Sequence, residues 1–365
     1  MSAPSLFEPI ALGAVELANR VIMAPMTRCR ADADGVPQPM VAEYYVQRAS
    51  AGLIISEATA VCKRGAGYPM MPGIYTDAQE TAWKSVIAGV HEAGGKFFVQ
   101  LIHTGRIGHS SVIGGAPVSA SAITPAGEVM AADFSMQPFE TPAALDEAGI
   151  ADAVAAYADA ARRAMRAGAD GVEIHGANGY LIDQFLRTGS NTRDDDWGGA
   201  PAGRARFLLA VVEAVEKAVE AETGPGRVGL RLSPFNPFND MSDRNAGITF
   251  RSTAELLART GICYLHITEM GAEPTANGAP QQLCRDMARV FGRPTIINGG
   301  YDRERAARVI QDPVLNAAGV AFGVPFISNP DLVRRLQEGL PLAEADEATF
   351  YAGGETGYTD YPEAG

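Results

Sequence analysis

The chain has 365 residues and a mass of 38.4 kDa, and its 43 Asp and Glu outnumber 30 Lys and Arg to give a formal net charge of −13. With 47% hydrophobic and 20% charged residues the composition is that of a globular protein rather than a disordered or fibrous one. An isoelectric point near 4.9 argues against a nucleic-acid partner, and no apolar run reaches the roughly 18 residues of a membrane span.

The opening segment MSAPSLFEPIALG has no basic stretch ahead of an apolar core, so a secretory leader is not expected and a cytoplasmic protein is. LFEPIALGAVELANR then reads as a short hairpin, placed to plug one end of a barrel. After it come eight short β-rich runs: VIMAPM from Val21, LIISEA from Leu53, FFVQLI from Phe97 and GVEIHG from Gly171, then VGLRLS from Val228, YLHITE from Tyr264, TIINGG from Thr295 and GVAFGV from Gly319. They lack polar alternation, as strands covered on both faces do in a parallel sheet. Helical spacing lies between them from Ala78, Asp146, Gly203, Ser252, Asp302 and Asn329. The alternation predicts an α/β fold, a single (β/α)8 TIM barrel spanning residues 1–365, with an open doubly wound sheet as the structural alternative. The Gly- and Pro-rich stretch 103–145 is too long for an ordinary connection and is expected to be a lid-like excursion after the third strand.

Gly224, Gly226 and Gly229 spell GxGxxG, but they leave a helix and enter a strand, the reverse of a dinucleotide fingerprint. Cys29, Cys62, Cys263 and Cys284 stand apart with no CxxC pair, so no metal site is expected. In a barrel, chemistry gathers at the carboxyl ends of the strands. There the sequence places Thr27, Glu57, Gln100, His175 with Asn178 and Tyr180, Arg231, Asn298-Gly299-Gly300 and Gly323. An imidazole and an amide can clamp one oxygen while a phenol supplies a proton. The glycines after the seventh and eighth runs suit a phosphate. An isomerase or aldolase would want a catalytic Lys or paired carboxylates, and only Glu57, Glu173 and Glu269 stand in or at strands.

APMTR (24–28), QRASAGLIISEAT (47–59), HGANGYLIDQFL (175–186), SNTRDDDWGG (190–199), FISNPDL (326–332) and GYTDYP (357–362), in this order, resemble the old yellow enzyme family of ene-reductases along nearly the whole chain. The resemblance implies non-covalent FMN, reduced by NADPH or NADH and reoxidised by an activated alkene bearing a carbonyl or nitro group. By position it implies that Ala24, Pro25, Thr27, Ala58, Gln100, Arg231, Asn298, Gly299, Gly300, Gly323 and Val324 surround the cofactor. His175 and Asn178 would hold the substrate oxygen and Tyr180 would protonate the α-carbon, while Thr27, Tyr68, Ile102, Phe238 and Tyr351 line the substrate pocket. His91, His109 and His266 are expected to be structural, and the chain to work as a monomer or homodimer. Two departures stand out. Ile102 replaces a Trp of the family and is expected to enlarge the pocket. Val324 replaces an Arg that binds the phosphate, which implies weaker FMN retention and leaves a cofactor-depleted binding barrel as the alternative function.

Overall fold

Residues 5–270 and 279–365 are described by the computed structural model. The eight apolar runs form the strands β1 (Val21–Met23), β2 (Leu53–Ile55), β3 (Phe97–Ile102), β4 (Gly171–His175), β5 (Val228–Leu232), β6 (Tyr264–Thr268), β7 (Thr295–Asn298) and β8 (Ala317–Phe322). All are parallel neighbours in chain order, β8 pairs with β1, and β3 pairs with β4, so the sheet closes on itself. Every residue of these strands is buried, because helices cover the outside and side chains fill the inside. The barrel is therefore the closed form, and the doubly wound alternative falls.

The covering helices are α1 (Pro39–Val46), α2 (Asp77–Glu92), α3 (Glu147–Arg166), α4 (Arg206–Thr223), α5 (Ala246–Leu257), α6 (Ala279–Phe291), α7 (Arg303–Gln311) and α8 (Leu332–Glu338). α3 starts where the Asp146 carboxylate accepts the Gly149 N–H at 2.8 Å and ends on Arg163 and Arg166, matching charge to the helix dipole at both ends. Its buried face is largely alanine (Ala153, Ala160, Ala161, Ala164), which lets α4 pack close. α1 and α6 have no counterpart among the helices read from the sequence. Among the described residues, no helix is long and apolar enough to cross a membrane.

The N-terminal hairpin is present, Ile10–Leu12 antiparallel to Val15–Leu17. Leu12, Val15 and Leu17 are buried against Phe98, Tyr264 and Ile296, closing the amino end of the barrel. Its turn needs glycine: Gly13 has φ +61°, and a Cβ there would lie 2.1 Å from the Gly226 carbonyl oxygen. The GxGxxG glycines are thus accounted for, Gly224 ending α4, Gly226 holding the hairpin and Gly229 lying under the Tyr264 ring. The 103–145 excursion carries a β-ribbon, Glu128–Met130 against Met136–Pro138, which leans over the open carboxyl end.

Candidate active site

At the carboxyl ends of the strands lies a cavity of about 650 Å³. Ala24, Pro25 and Thr27 line it from behind β1, Ala58 from behind β2 and Gln100 from β3. His175, Asn178 and Tyr180 come from the end of β4, Arg231 from β5, Asn298 and Gly300 from β7, and Gly323 and Val324 from behind β8. Phe238 and Tyr351 complete the rim, together with Met26, Asn236, Met270, Tyr301 and Phe350, which the sequence did not single out. A second cavity of about 580 Å³ adjoins it under the β-ribbon, sharing Thr27, Tyr180, Phe238 and Tyr351 and adding Tyr68. Two expected residues stand elsewhere. Ile102 is 1% exposed, buried in an apolar cluster with Ala58, Ile107 and Tyr180, and lines neither cavity. Gly299 is packed on Glu269, where a Cβ would come within 2.9 Å of the Glu269 Cβ, and it is off the cavity wall.

The hydrogen bonds decide which groups are left to act. His175 Nδ1 accepts the Ala177 N–H at 3.2 Å, which leaves the ring proton on Nε2. Burial, helped by the nearby Arg231 and His266, pushes the His175 pKa well below its ordinary value, so the imidazole is neutral. Asn178 adopts a left-handed backbone, φ +58°, with its N–H donating to Ser233 Oγ at 2.7 Å. Its Oδ1 accepts from Asn236 Nδ2 at 2.9 Å and its carbonyl from Asn239 Nδ2 at 2.8 Å. The Asn178 amide hydrogens are therefore free to donate. Two N–H donors, on one strand end, face the same space. Tyr180 stands edge-on to the His175 ring, 5.1 Å between centroids, with its hydroxyl 3.1 Å from that of Tyr68.

Behind the donors lies a buried charged layer. Arg231 Nη2 donates to Asn298 Oδ1 at 3.0 Å, and Asn298 Nδ2 in turn donates to the Ala321 carbonyl at 2.9 Å. The Asn298 side chain is thus a brace for Arg231. Glu173, fully buried, accepts from Gln100 Nε2 at 2.7 Å, Tyr264 Oη at 3.0 Å and His266 Nδ1 at 2.9 Å. Burial alone would raise the Glu173 pKa; His266, Arg231 and these hydrogen bonds reverse the shift, and Glu173 stays ionised as the counter-charge to Arg231. Sequence reading left Glu173 without a role. Its one signal was a carboxylate in an apolar strand, which must find partners or cost stability.

Arg28, read only as part of a motif, ties the C-terminal segment to the site. Its Nε donates to the Phe350 carbonyl at 2.9 Å and Nη2 to that of Gly357 at 2.8 Å. Its guanidinium lies over Tyr44 and Tyr358, about 5 Å from each ring, so Tyr351 is held at the rim.

Residues 5–343 match the family described as NADH:flavin oxidoreductase / NADH oxidase. A chanoclavine-I aldehyde reductase of Penicillium roqueforti is 44% identical over 98% of this chain and 95% of its own length. Among solved structures, morphinone reductase in complex with tetrahydroNAD superposes with a TM-score of 0.92 at 45% identity, covering 99% of this chain and 98% of that one. The old yellow enzyme homologue of Zymomonas mobilis gives a TM-score of 0.92 at 41% identity over 99% and 100% of the two chains. The chain belongs to the old yellow enzyme family.

Old yellow enzymes are FMN-dependent, and the residues here fit that cofactor. Arg231 Nε is buried with no partner beside the cavity, a donor waiting for an acceptor. With Nε2 engaged by Glu173, Gln100 has its amide oxygen left as an acceptor for a ring N–H. At the opposite end Gly300 has φ +65° and open space where a Cβ would stand, while a Cβ on Gly323 would meet only Met26, from 3.5 Å, leaving room for a phosphate against the backbone.

Proposed function

We propose that this chain is an NAD(P)H-consuming ene-reductase for α,β-unsaturated carbonyl and nitro compounds, in which His175 and Asn178 bind the activating oxygen and Tyr180 supplies the proton. The observation that carries the roles is the forced donor pair: the Ala177 N–H fixes the His175 tautomer and Asn236 fixes the Asn178 amide. When bound, FMN supplies the two-electron chemistry, taking hydride from NAD(P)H and giving hydride to the β-carbon of the alkene. His175 Nε2–H and the Asn178 amide withdraw density through the substrate oxygen, which makes the β-carbon electrophilic and stabilises charge arriving on that oxygen. Tyr180 Oη then delivers its proton to the α-carbon. Arg231, kept cationic with Glu173 as counter-ion, stabilises negative charge on the pyrimidine side of the cofactor site. The solved relative holding tetrahydroNAD supports nicotinamide entry to the same space. A net charge of −13 supports small molecules, not nucleic acid or a membrane surface, as partners of a cytoplasmic monomer or homodimer. A cofactor-depleted binding barrel is favoured by nothing in the fold or the relatives.

The test is the visible spectrum of the purified protein. Bound flavin that bleaches anaerobically with NAD(P)H and returns with cyclohexenone is the expected result; protein that stays colourless after incubation with excess FMN and desalting overturns the reading.

Val324 sets a second expectation. It is 52% exposed at the phosphate end of the cavity, and Arg231, at the other end, is the one cation among the described residues that line it. Arg305 stands outside the cavity lining: its Nη1 donates to the Gly300 carbonyl at 2.8 Å and its guanidinium sits over Tyr301. A charge-assisted phosphate contact contributes about 1.5–3 kcal/mol. Val324→Arg is therefore expected to tighten FMN about 10- to 100-fold in a fluorescence titration of the apoprotein. An unchanged Kd would show that the phosphate is already fully held.

A further inference from the structure

The proton donor has a hydroxyl partner. Tyr68 stands on the loop after β2, and its backbone has little freedom: a Cβ on Gly67 would lie 2.1 Å from the Ile107 carbonyl oxygen, Pro69 follows, and the Met70 carbonyl accepts the Ala31 N–H at 3.1 Å. This places the Tyr68 hydroxyl 3.1 Å from that of Tyr180. Tyr68 also forms part of the wall of a separate cavity of about 360 Å³, lined in addition by Lys63, Tyr75, Ser111 and Phe134. Tyr68 thus stands between Tyr180 and a space that does not contain Tyr180.

Each phenol has a single O–H. If Tyr180 points its proton at a substrate carbon, the hydrogen bond between the two hydroxyls must be donated by Tyr68. We propose that Tyr68 is the second member of a proton relay: it donates to Tyr180 Oη during transfer, holds the phenolate that transfer creates, and passes Tyr180 its replacement proton. The steps balance. The Tyr180 O–H bond breaks as the C–H bond at the α-carbon forms; the Tyr68 proton moves to the Tyr180 oxygen; and solvent water in the side cavity returns a proton to Tyr68. No electrons change hands in these steps. Burial raises the pKa of both phenols, and hydrogen bonds from Tyr68 and Asn239 pull that of Tyr180 back down, as expected of donors that hold the Tyr180 phenolate. The other titratable groups facing Tyr180 are Tyr351, Cys29, His175 and Arg231. The inference rests on Tyr180 being the acid, and the test separates the two.

Flavin reduction by NAD(P)H and reoxidation by cyclohexenone are followed separately by anaerobic stopped-flow in the holoenzyme, for Tyr68→Phe, Tyr180→Phe and the double variant. Bound flavin content reports that each has folded. Tyr180→Phe is expected to lower reoxidation at least about 100-fold. Tyr68→Phe should lower the ratio of reoxidation to reduction rates about tenfold. It should also move the alkaline limb of the reoxidation profile to higher pH, because the Tyr180 phenolate has lost one of its donors. In the Tyr180→Phe background the same change should alter reoxidation less than about twofold. A Tyr68→Phe protein with an unshifted limb and an unchanged ratio, beside a slow Tyr180→Phe, overturns the relay and leaves Tyr180 as the acid. Tyr180→Phe reoxidising at the parent rate overturns both.

Discussion

His175→Ala combined with Asn178→Ala is expected to slow reoxidation by cyclohexenone at least about 10³-fold, the upper end of what loss of one preorganised donor costs. Both donors are set before substrate arrives, one by the Ala177 N–H and the other by Asn236, so no reorganisation is needed when charge builds on the bound oxygen. The nicotinamide carboxamide also presents a carbonyl, so flavin reduction should slow as well. That pattern differs from Tyr180→Phe, where the loss falls on the step that needs a proton. Bound flavin should persist in the double variant, since Gln100, Arg231, Gly300 and Gly323 are untouched. Stopped-flow rates for both half-reactions, normalised to bound flavin, check the claim. A double variant that loses less than tenfold in reoxidation would remove the donor pair from the mechanism.

What the sequence made legible follows from where burial is complete. β4 and β5 are covered on both faces, so GVEIHG and VGLRLS stand out as continuous runs, and the polar members His175 and Arg231 are conspicuous within them. The partners of those residues are not conspicuous. Asn236 and Asn239 sit in the turn-rich stretch after β5, where polar residues are ordinary, and only the fold brings them onto Asn178. Glu173 is joined to Gln100, Tyr264 and His266 across 73, 91 and 93 residues of sequence, which no local spacing encodes. α1 escaped because PMVAEYYV is short and rich in β-branched and aromatic residues, so its pattern resembles a strand. In α6 the apolar positions Leu283, Cys284, Met287 and Phe291 are spread among Arg, Gln and Asp, and the mean polarity masks the stripe. Ile102 shows the converse limit: a motif position implied a pocket residue, while its side chain is buried in an apolar cluster beside the cavities and lines neither.

The largest stability effect is expected at a pair made by Asp183 of the HGANGYLIDQFL motif and Arg187, the residue that follows it. Asp183 and Arg187 lie one turn apart at the short helix Leu181–Leu186, 0% and 3% exposed, with Arg187 Nε donating to Asp183 Oδ1 at 2.8 Å. Asp183 Oδ2 accepts the Gly179 N–H at 2.9 Å, and Arg187 donates to the Ser233 carbonyl while lying over the Phe250 ring. Ser233 in turn receives the Asn178 N–H, so a ring of hydrogen bonds runs from Asn178 through Ser233, Arg187 and Asp183 to Gly179. The ring holds the turn that presents Asn178 and Tyr180. Arg187→Leu leaves the Asp183 carboxylate buried without its cation and is expected to cost about 3–5 kcal/mol in urea unfolding of the holoenzyme. Replacing both, Asp183→Leu with Arg187→Leu, removes the stranded charge and should recover most of that stability, because apolar pairs of similar volume fill such sites well. Reoxidation by cyclohexenone should not recover with it, since the Gly179 N–H loses its acceptor, the Ser233 carbonyl keeps only the long contact from the Asn236 N–H at 3.4 Å, and the turn is untied. A double variant that regains both stability and rate would show that the ring serves the fold alone. Recovery of stability without recovery of rate would place the ion pair in the positioning of Asn178 and Tyr180.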